Sequence, residues 1–285
     1  LLALLLCAGF VVPVMPLHAD LLDTDENRQT PAPSPPPPNI EQVQNMLHMS
    51  DDDEANEEES KKVGVQIRGD ALKQAALSFG ARGGLAWRTF QIQRRLAENE
   101  GNMTKVYSFG ALLIAAPSGL LVEPPVVSEA QRAVIVAVGG QNAAVADRVY
   151  RINRNARIVT APRDWRSYLE RDWGKVEPPP KMLRPKNELE MAGWKQWVVV
   201  GWEEGIKQAD EIFTADLDRL NADYTGMIRY RELLAQGMIT APYAAQEDRG
   251  VTGGGTEMRI GDRGLNITAP ALLNPKSDRW ITAPR

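Results

Sequence analysis

Cysteine and histidine are nearly missing from this sequence. The only cysteine is Cys7 and the only histidines are His18 and His48, so everything from Lys61 to Arg285 is built without either residue type. Zinc sites draw on Cys or His, nucleophilic triads need a histidine base, and a disulfide needs two thiols, so this body excludes all three. At about 225 residues it is long enough to bury a core without such staples. Phosphate loops are missing too: Gly253-Gly254-Gly255 has no Lys-Ser or Lys-Thr after it, and Gly80, Gly83 and Gly84 fall in a helical pattern instead of a strand-to-helix turn. Carboxylate chemistry survives this elimination, with Glu203, Glu204 and Glu211 as the available acids. They lie on a charge-rich helical stretch, which reads as a solvated face. The expectation is a protein with no catalytic residue, no metal, no cofactor and no small-molecule substrate.

Charge is absent from residues 1–19, which are mostly Leu, Val and Ala and give way at once to Asp20. That is the profile of an export signal's apolar core, and a positively charged leader start is expected ahead of Leu1. Gly9, Pro13 and Pro16 interrupt the run that a membrane span of about 20 apolar residues would need. Two processing routes fit. Leu17-His18-Ala19 offers a small-residue cleavage site before Asp20, while Cys7 followed by Ala8-Gly9 offers a lipidation cysteine, although Leu6 stands where such signals carry Gly, Ala or Ser.

Residues 20–62 read as a disordered tether. Pro31, Pro33 and Pro35 to Pro38 favour extended polyproline geometry, and Asp51-Asp52-Asp53-Glu54 with Glu57-Glu58-Glu59 repel one another. Ile40, Val43, Met46, Leu47 and Met49 form a small apolar patch within it, either a transient helix or a short motif that folds onto a partner. Residues 20–60 hold twelve acids and one Arg, whereas 61–285 hold 32 Lys plus Arg against 25 acids. A net charge of −4 thus hides a basic body on an acidic leash.

Within the body, residues 63–285 read as one α+β domain with two helical blocks. Leu72, Ala75, Ala76, Phe79, Gly83 and Trp87 recur at three and four, which predicts an amphipathic helix over Ile67–Asn99. Val106–Val127 is apolar but broken by Gly110, Pro117, Gly119, Pro124 and Pro125, and reads as buried loop and short strands. Ala133–Val138, Val145–Tyr150 and Arg157–Thr160 read as antiparallel strands with Gly139-Gly140 as a turn, and Pro162, Trp165 and Tyr168-Leu169 begin a short helix or turn that stops at Gly174. Lys186–Gly237 contains no proline and carries Trp194, Val198, Trp202, Ala209, Phe213, Leu217 and Leu220 on one stripe. Unbroken, this second helix would be about 78 Å long, so a bend near Gly226 is expected. Met258–Ile260 and Leu265–Ile267 predict a C-terminal hairpin turning at Gly261-Asp262-Arg263-Gly264.

Two surfaces are candidates for partner contact. Val251, Thr252, Gly253 and Gly255 form a Gly-rich loop beside that hairpin, where a neighbouring chain can approach or add a strand. Arg148, Arg151, Arg154 and Arg157 recur every three residues, with Arg163, Arg166 and Arg171 beyond. Such a cluster can meet the phosphates of nucleic acid or lipid, or pair with acidic neighbours.

Several strings stand in order along the body. They are Ala75-Ala76-Leu77-Ser78 through Gly84-Leu85-Ala86-Trp87-Arg88; Ala161-Pro162 with Trp165-Arg166-Ser167-Tyr168-Leu169; Gly201-Trp202 with Gly205-Ile206 and Gln208-Ala209; Gly226-Met227-Ile228 with Tyr230-Arg231 and Leu233-Leu234-Ala235; Pro242-Tyr243; Gly250-Val251-Thr252-Gly253 with Gly255; and Asp262-Arg263 through Ile267-Thr268-Ala269. Taken together they resemble the DotC family of type IVB secretion systems, called TraI in I-type conjugative plasmids, over about residues 65 to 281. The resemblance implies a structural subunit at the periplasmic face of the outer membrane, assembled with a small DotD-like lipoprotein, a DotH-like secretin-like protein and ring neighbours or copies of itself. It also implies lipidation at an N-terminal cysteine, here Cys7. For the matched Trp87, Trp165, Trp202, Tyr230 and Tyr243 the expectation is packing, and for Gly226, Gly250, Gly253 and Gly255 it is a backbone need such as positive φ.

Overall fold

The computed structural model describes residues 35–46, 63–116, 121–136 and 143–281. The chain divides into a unit Leu1–Pro36, of which only residues 35 and 36 are described, and a unit Pro37–Arg285 that holds every feature below. The export signal, Cys7, the two processing sites, the acidic run and the Gly139-Gly140 turn lie outside the described residues.

The fold is α+β, and its frame is a pair of helices, α2 (Val63–Glu98) and α5 (Glu188–Ala235). Their contacts climb both together: Arg68 with Glu190, Gly201 against Leu77, Gly205 against Ala81, Arg88 with Asp210, and Leu96 among Phe213, Leu217 and Leu220. The two helices therefore run parallel, joined by the long connection that carries most of the strands. Each end of α5 has a local cause. Asn187 accepts the Glu190 amide at 2.8 Å as N-cap, with Glu188 and Glu190 in the first turn. At the other end Gly237, at φ +69°, lets Met238 N–H reach Leu233 O and its own N–H reach Leu234 O, a Schellman stop.

The bend expected near Gly226 does not interrupt the helix. The 48-residue helix is continuous through it, and Gly226 has no positive φ. Its missing side chain makes room for a crossing strand: a Cβ there would lie 2.5 Å from Val126 Cγ1. At a 1.5 Å rise α5 is about 72 Å long, and three apolar clusters along it account for its burial. The first holds Leu72, Phe79, Trp194, Val198 and Trp202; the second Phe109, Trp165, Leu169, Leu220 and Met227; the third Val127, Tyr230, Leu233 and Ile239.

Part of the tether is ordered. Residues Ile40–Asn45 form a short helix, α1, fixed by a capping box between Asn39 and Gln42. Val43 is fully buried in the first cluster, where its Cγ2 lies against Gly83. Ile40 and Val43 of the apolar patch thus pack onto their own chain, and residues 37–46 depart from the disordered reading.

After α2 come α3 (Glu100–Val106) and a 3₁₀ turn at Phe109–Leu112. Strands β1 (Ile114–Ala115), β2 (Leu121–Glu123) and β5 (Arg157–Val159) form a small antiparallel sheet in the order β1-β2-β5. Strands β3 (Val126–Val136) and β4 (Ala143–Arg154) form a two-stranded ribbon. The short α4 (Arg166–Leu169) follows, with Tyr168 and Leu169 buried. The last pair is β6 (Tyr243–Gly254) and β7 (Glu257–Ala269).

This final hairpin does not turn where the sequence places it. Gly261 to Gly264 lie inside β7, and the turn is at Gly255-Thr256. Gly261 (φ +71°) and Gly250 (φ +65°) instead hold bulges, at two shifts in the register around Gly250. A bulge and a turn both call for positive φ, so glycine signals them alike. The candidate residues Val251, Thr252 and Gly253 belong to β6, at the hairpin's outer end.

Candidate assembly surface

Three local arrangements decide what this chain can present to a partner. The first is the contact between α2 and α5, set by glycines four apart on each helix. A Cβ on Gly80 or Gly84 would overlap the backbone of Val198 or Trp202, and one on Gly201 or Gly205 would overlap the carbonyl of Leu77 or Ala81. The helices are thus in backbone contact, and Trp202 lies over Gly83. The signal was present in the sequence as Gly80-x-x-x-Gly84 and Gly201-x-x-x-Gly205, a spacing that lines small residues on one face of a helix. Among the described residues no helix is long and apolar enough to cross a membrane.

The second is a charged knot where five elements meet. Glu123, at the end of β2, is 2% exposed. It accepts from Arg157 Nη2 at 2.9 Å and from Arg163 Nε at 2.9 Å. Asp223 on α5 faces Arg154 Nη2 at 2.9 Å and Arg163 Nη1 at 2.8 Å, and accepts the Tyr168 hydroxyl at 2.6 Å. Burial works against the Asp223 carboxylate, but Tyr168, Arg154 and Arg163 outweigh it and hold its pKa below the ordinary carboxylate value. Burial and the hydrogen bond to Asp223 raise the Tyr168 phenol, which stays protonated as donor. The knot ties the small sheet, the foot of the β3–β4 ribbon and α4 to α5.

This geometry divides the arginine series. Arg154, Arg157 and Arg163 are taken up by Glu123 and Asp223; Arg166 pairs with Asp164 and Glu100; Arg171 pairs with Asp216. Arg148 lies 3.8 Å from Glu129 on the ribbon surface, and Arg151 is exposed with no ion pair among the described residues. A spacing of three on a strand sends successive residues to opposite faces, so the periodicity that suggested one basic patch does not build one. Glu123 and Asp223 escaped notice because they lie 100 residues apart in the sequence and follow no motif.

The third is the β6–β7 ribbon. Among the described residues its strands pair with each other along their length and are held to the body at the base. There Ile239 bridges to Leu273, and Ile239 and Ala271 are buried with Tyr230. Its outer half stands clear: Val251, Met258 and Ile260 are exposed, Ile260 at 76%. Gly253, at φ +122°, and Gly255, at +67°, have the conformations expected of them. An added Cβ at Gly253 would also overlap the Glu257 carbonyl, whereas Gly255 faces open space. Trp165, Trp202 and Tyr230 are buried as expected and Trp87 is half-buried, but Tyr243 is exposed at the ribbon's base, where no second layer covers it.

These features describe an α+β protein with a stiff parallel helix pair that carries projecting two-stranded ribbons. The chain belongs to the T4SS_TraI family, described as type IV secretory system, conjugal DNA-protein transfer, which matches residues 66–282. A comparison with curated proteins finds no match.

Proposed function

We propose that this chain is a non-catalytic structural subunit of the outer-membrane core of a type IVB conjugation or secretion machine. In this reading it is exported to the periplasmic face of the outer membrane. There it helps to assemble and localise a DotH-like secretin-like component, together with a small DotD-like lipoprotein and with ring neighbours or copies of itself. The observation that carries the reading is the projecting β6–β7 ribbon, whose exposed Val251, Met258 and Ile260 contribute nothing to the chain's own core. Exposed apolar surface of this kind marks contact sites, and a framework locked by helix-backbone contact and buried ion pairs presents it rigidly. Glu203, Glu204 and Glu211, the acids available for carboxylate chemistry, lie on α5 with no side-chain hydrogen bond or ion pair among the described residues.

The test is recovery of the tagged chain from cell envelopes. A secretin-like protein and a small lipoprotein in the same particle are expected; a lone monomer, or one that carries nucleic acid, contradicts the reading. Anchoring is tested separately. Cleavage after Ala19 predicts that Cys7→Ser leaves size and membrane association unchanged, and lipid labelling that depends on Cys7 establishes the lipoprotein route.

A further inference from the structure

The bulges give the β6–β7 ribbon a two-faced character. Neighbouring cross-strand pairs alternate faces, and the register runs Gly253↔Met258, Thr252↔Arg259, Val251↔Ile260, Gly250↔Asp262, Asp248↔Arg263, Glu247↔Gly264, Gln246↔Leu265, Ala245↔Asn266 and Ala244↔Ile267. Ile260 and Leu265 are five apart and would point oppositely in a regular strand. The extra residue Gly261 shifts the phase, so Met258, Ile260, Leu265 and Ile267 share one face with Val251. Thr252, Arg259, Asp262 and Glu247 share the other, where Thr252 donates to Asp262 at 2.7 Å and Arg249 pairs with Glu247 at 3.7 Å. The apolar face carries one charged step, Asp248 opposite Arg263.

The β3–β4 ribbon repeats the design. One face packs on α5 at its base, through Val127, Tyr150 and Ile152 and through Arg229 bound to Glu129 and the Val127 carbonyl. The other face holds Ala130, Val134, Val145 and Val149, with Val134 directly opposite Val145 and both exposed. It too carries a charged step inward from the apolar pair: Asp147 and Arg132, which lie between the pairs Gln131↔Arg148 and Ala133↔Ala146, Arg132 being the one described non-glycine residue at positive φ (51°). Among the described residues Asp147, Arg132, Asp248 and Arg263 take part in no ion pair.

We propose that these two faces are a complementary pair, the β6–β7 ribbon of one copy packing on the β3–β4 ribbon of a second copy. This deepens the assembly reading and rests on it. Each face has an apolar cross-strand pair followed by one acid and one arginine, so face-to-face packing sets Val251 and Ile260 beside Val134 and Val145. The charges select the orientation in which Asp147 meets Arg263 and Arg132 meets Asp248, and oppose the reversed one. Two different faces of one chain make a head-to-tail contact, which every copy repeats and which closes into a ring when the rotation closes.

The experiment uses the full chain with Cys7→Ser, expressed in conjugating cells as Asp147→Cys, as Arg263→Cys and as the two together under different tags. A disulfide-linked pair of copies is expected only when both variants are present. Charge reversal gives a second readout: chemical cross-linking between copies should fall about tenfold with Asp147→Arg and return when the other copy carries Arg263→Asp. A disulfide from either cysteine variant alone, no disulfide in the mixture, or no recovery by the charge swap overturns the proposal. The mixed disulfide in a chain recovered without other subunits upholds this contact and counts against the assembly reading. Loss of transfer in an Ile260→Asp variant with no linked copies in the mixture does the reverse.

Discussion

The Tyr168 hydroxyl donates to Asp223 Oδ2 across 2.6 Å and so fastens α4 to α5 at the centre of the charged knot. Asp223 has a folded pKa below its ordinary value, so it stabilises the fold above the usual carboxylate range, and that stability is lost as pH falls through the depressed folded value. Thermal melts should therefore show no change from this group between about pH 7 and pH 5 and a loss below about pH 4. Asp223→Asn should be less stable at neutral pH and show a shallower acid dependence; an unchanged acid profile contradicts the assignment.

Glu123 is the more deeply buried member, and its removal leaves Arg157 without a carboxylate and Arg163 with Asp223 alone. Glu123→Gln should cost on the order of 3 kcal/mol in urea unfolding. Arg94 and Glu98 form an exposed pair on α2, so Glu98→Gln should change stability by less than about 1 kcal/mol. Equal effects would mean that the knot does not hold the sheet to the helix.

Gly201 and Gly69 are both helical glycines, but a Cβ on Gly201 would meet the Leu77 backbone while one on Gly69 would meet nothing within 4 Å. Gly201→Ala should destabilise by about 1–3 kcal/mol or more, since the helices must move apart. Gly69→Ala should stabilise by up to about 1 kcal/mol through helix propensity. Melting temperatures of the two variants that move in the same direction would contradict close helix contact.

Val43 seals the far end of the first apolar cluster from a helix of only six residues. Val43→Asp should release α1, seen as rapid amide exchange and proteolytic cleavage at residues 39–46, while α2 and α5 keep their protection. Burial of one Val is worth about 1.5–3 kcal/mol, enough to hold a short helix and too little to unfold the body. Protection of α1 that survives the substitution would show that other contacts hold it.

The two helices were legible because their apolar residues recur at the helical period over many turns, and the strands because their β-branched runs are bounded by glycine and proline. The hairpin turn was misplaced because Gly261-Asp262-Arg263-Gly264 has turn composition, while only pairing with β6 reveals that Gly261 is a bulge. At Gly226 the sequence could not reveal the close approach of a strand, because that depends on Val126, a residue 100 positions away. The candidate residues Val251, Gly253 and Gly255 were found by composition, but Met258 and Ile260 were read only as strand, since their exposure depends on how far the ribbon stands from the body. The charged knot was invisible because its members come from five separate elements and a connection between two of them.

The most direct test of the ribbon as an assembly contact is one variant measured twice, Val251→Asp with Ile260→Asp. Both side chains are exposed and directly opposite each other, so the isolated chain should melt within about 0.5 kcal/mol per substitution of the parent. Conjugal transfer and recovery of the assembled particle should fall sharply, because every copy would place two carboxylates in an apolar contact. Transfer at the parent frequency with an intact particle, or unfolding of the isolated chain, would contradict the account.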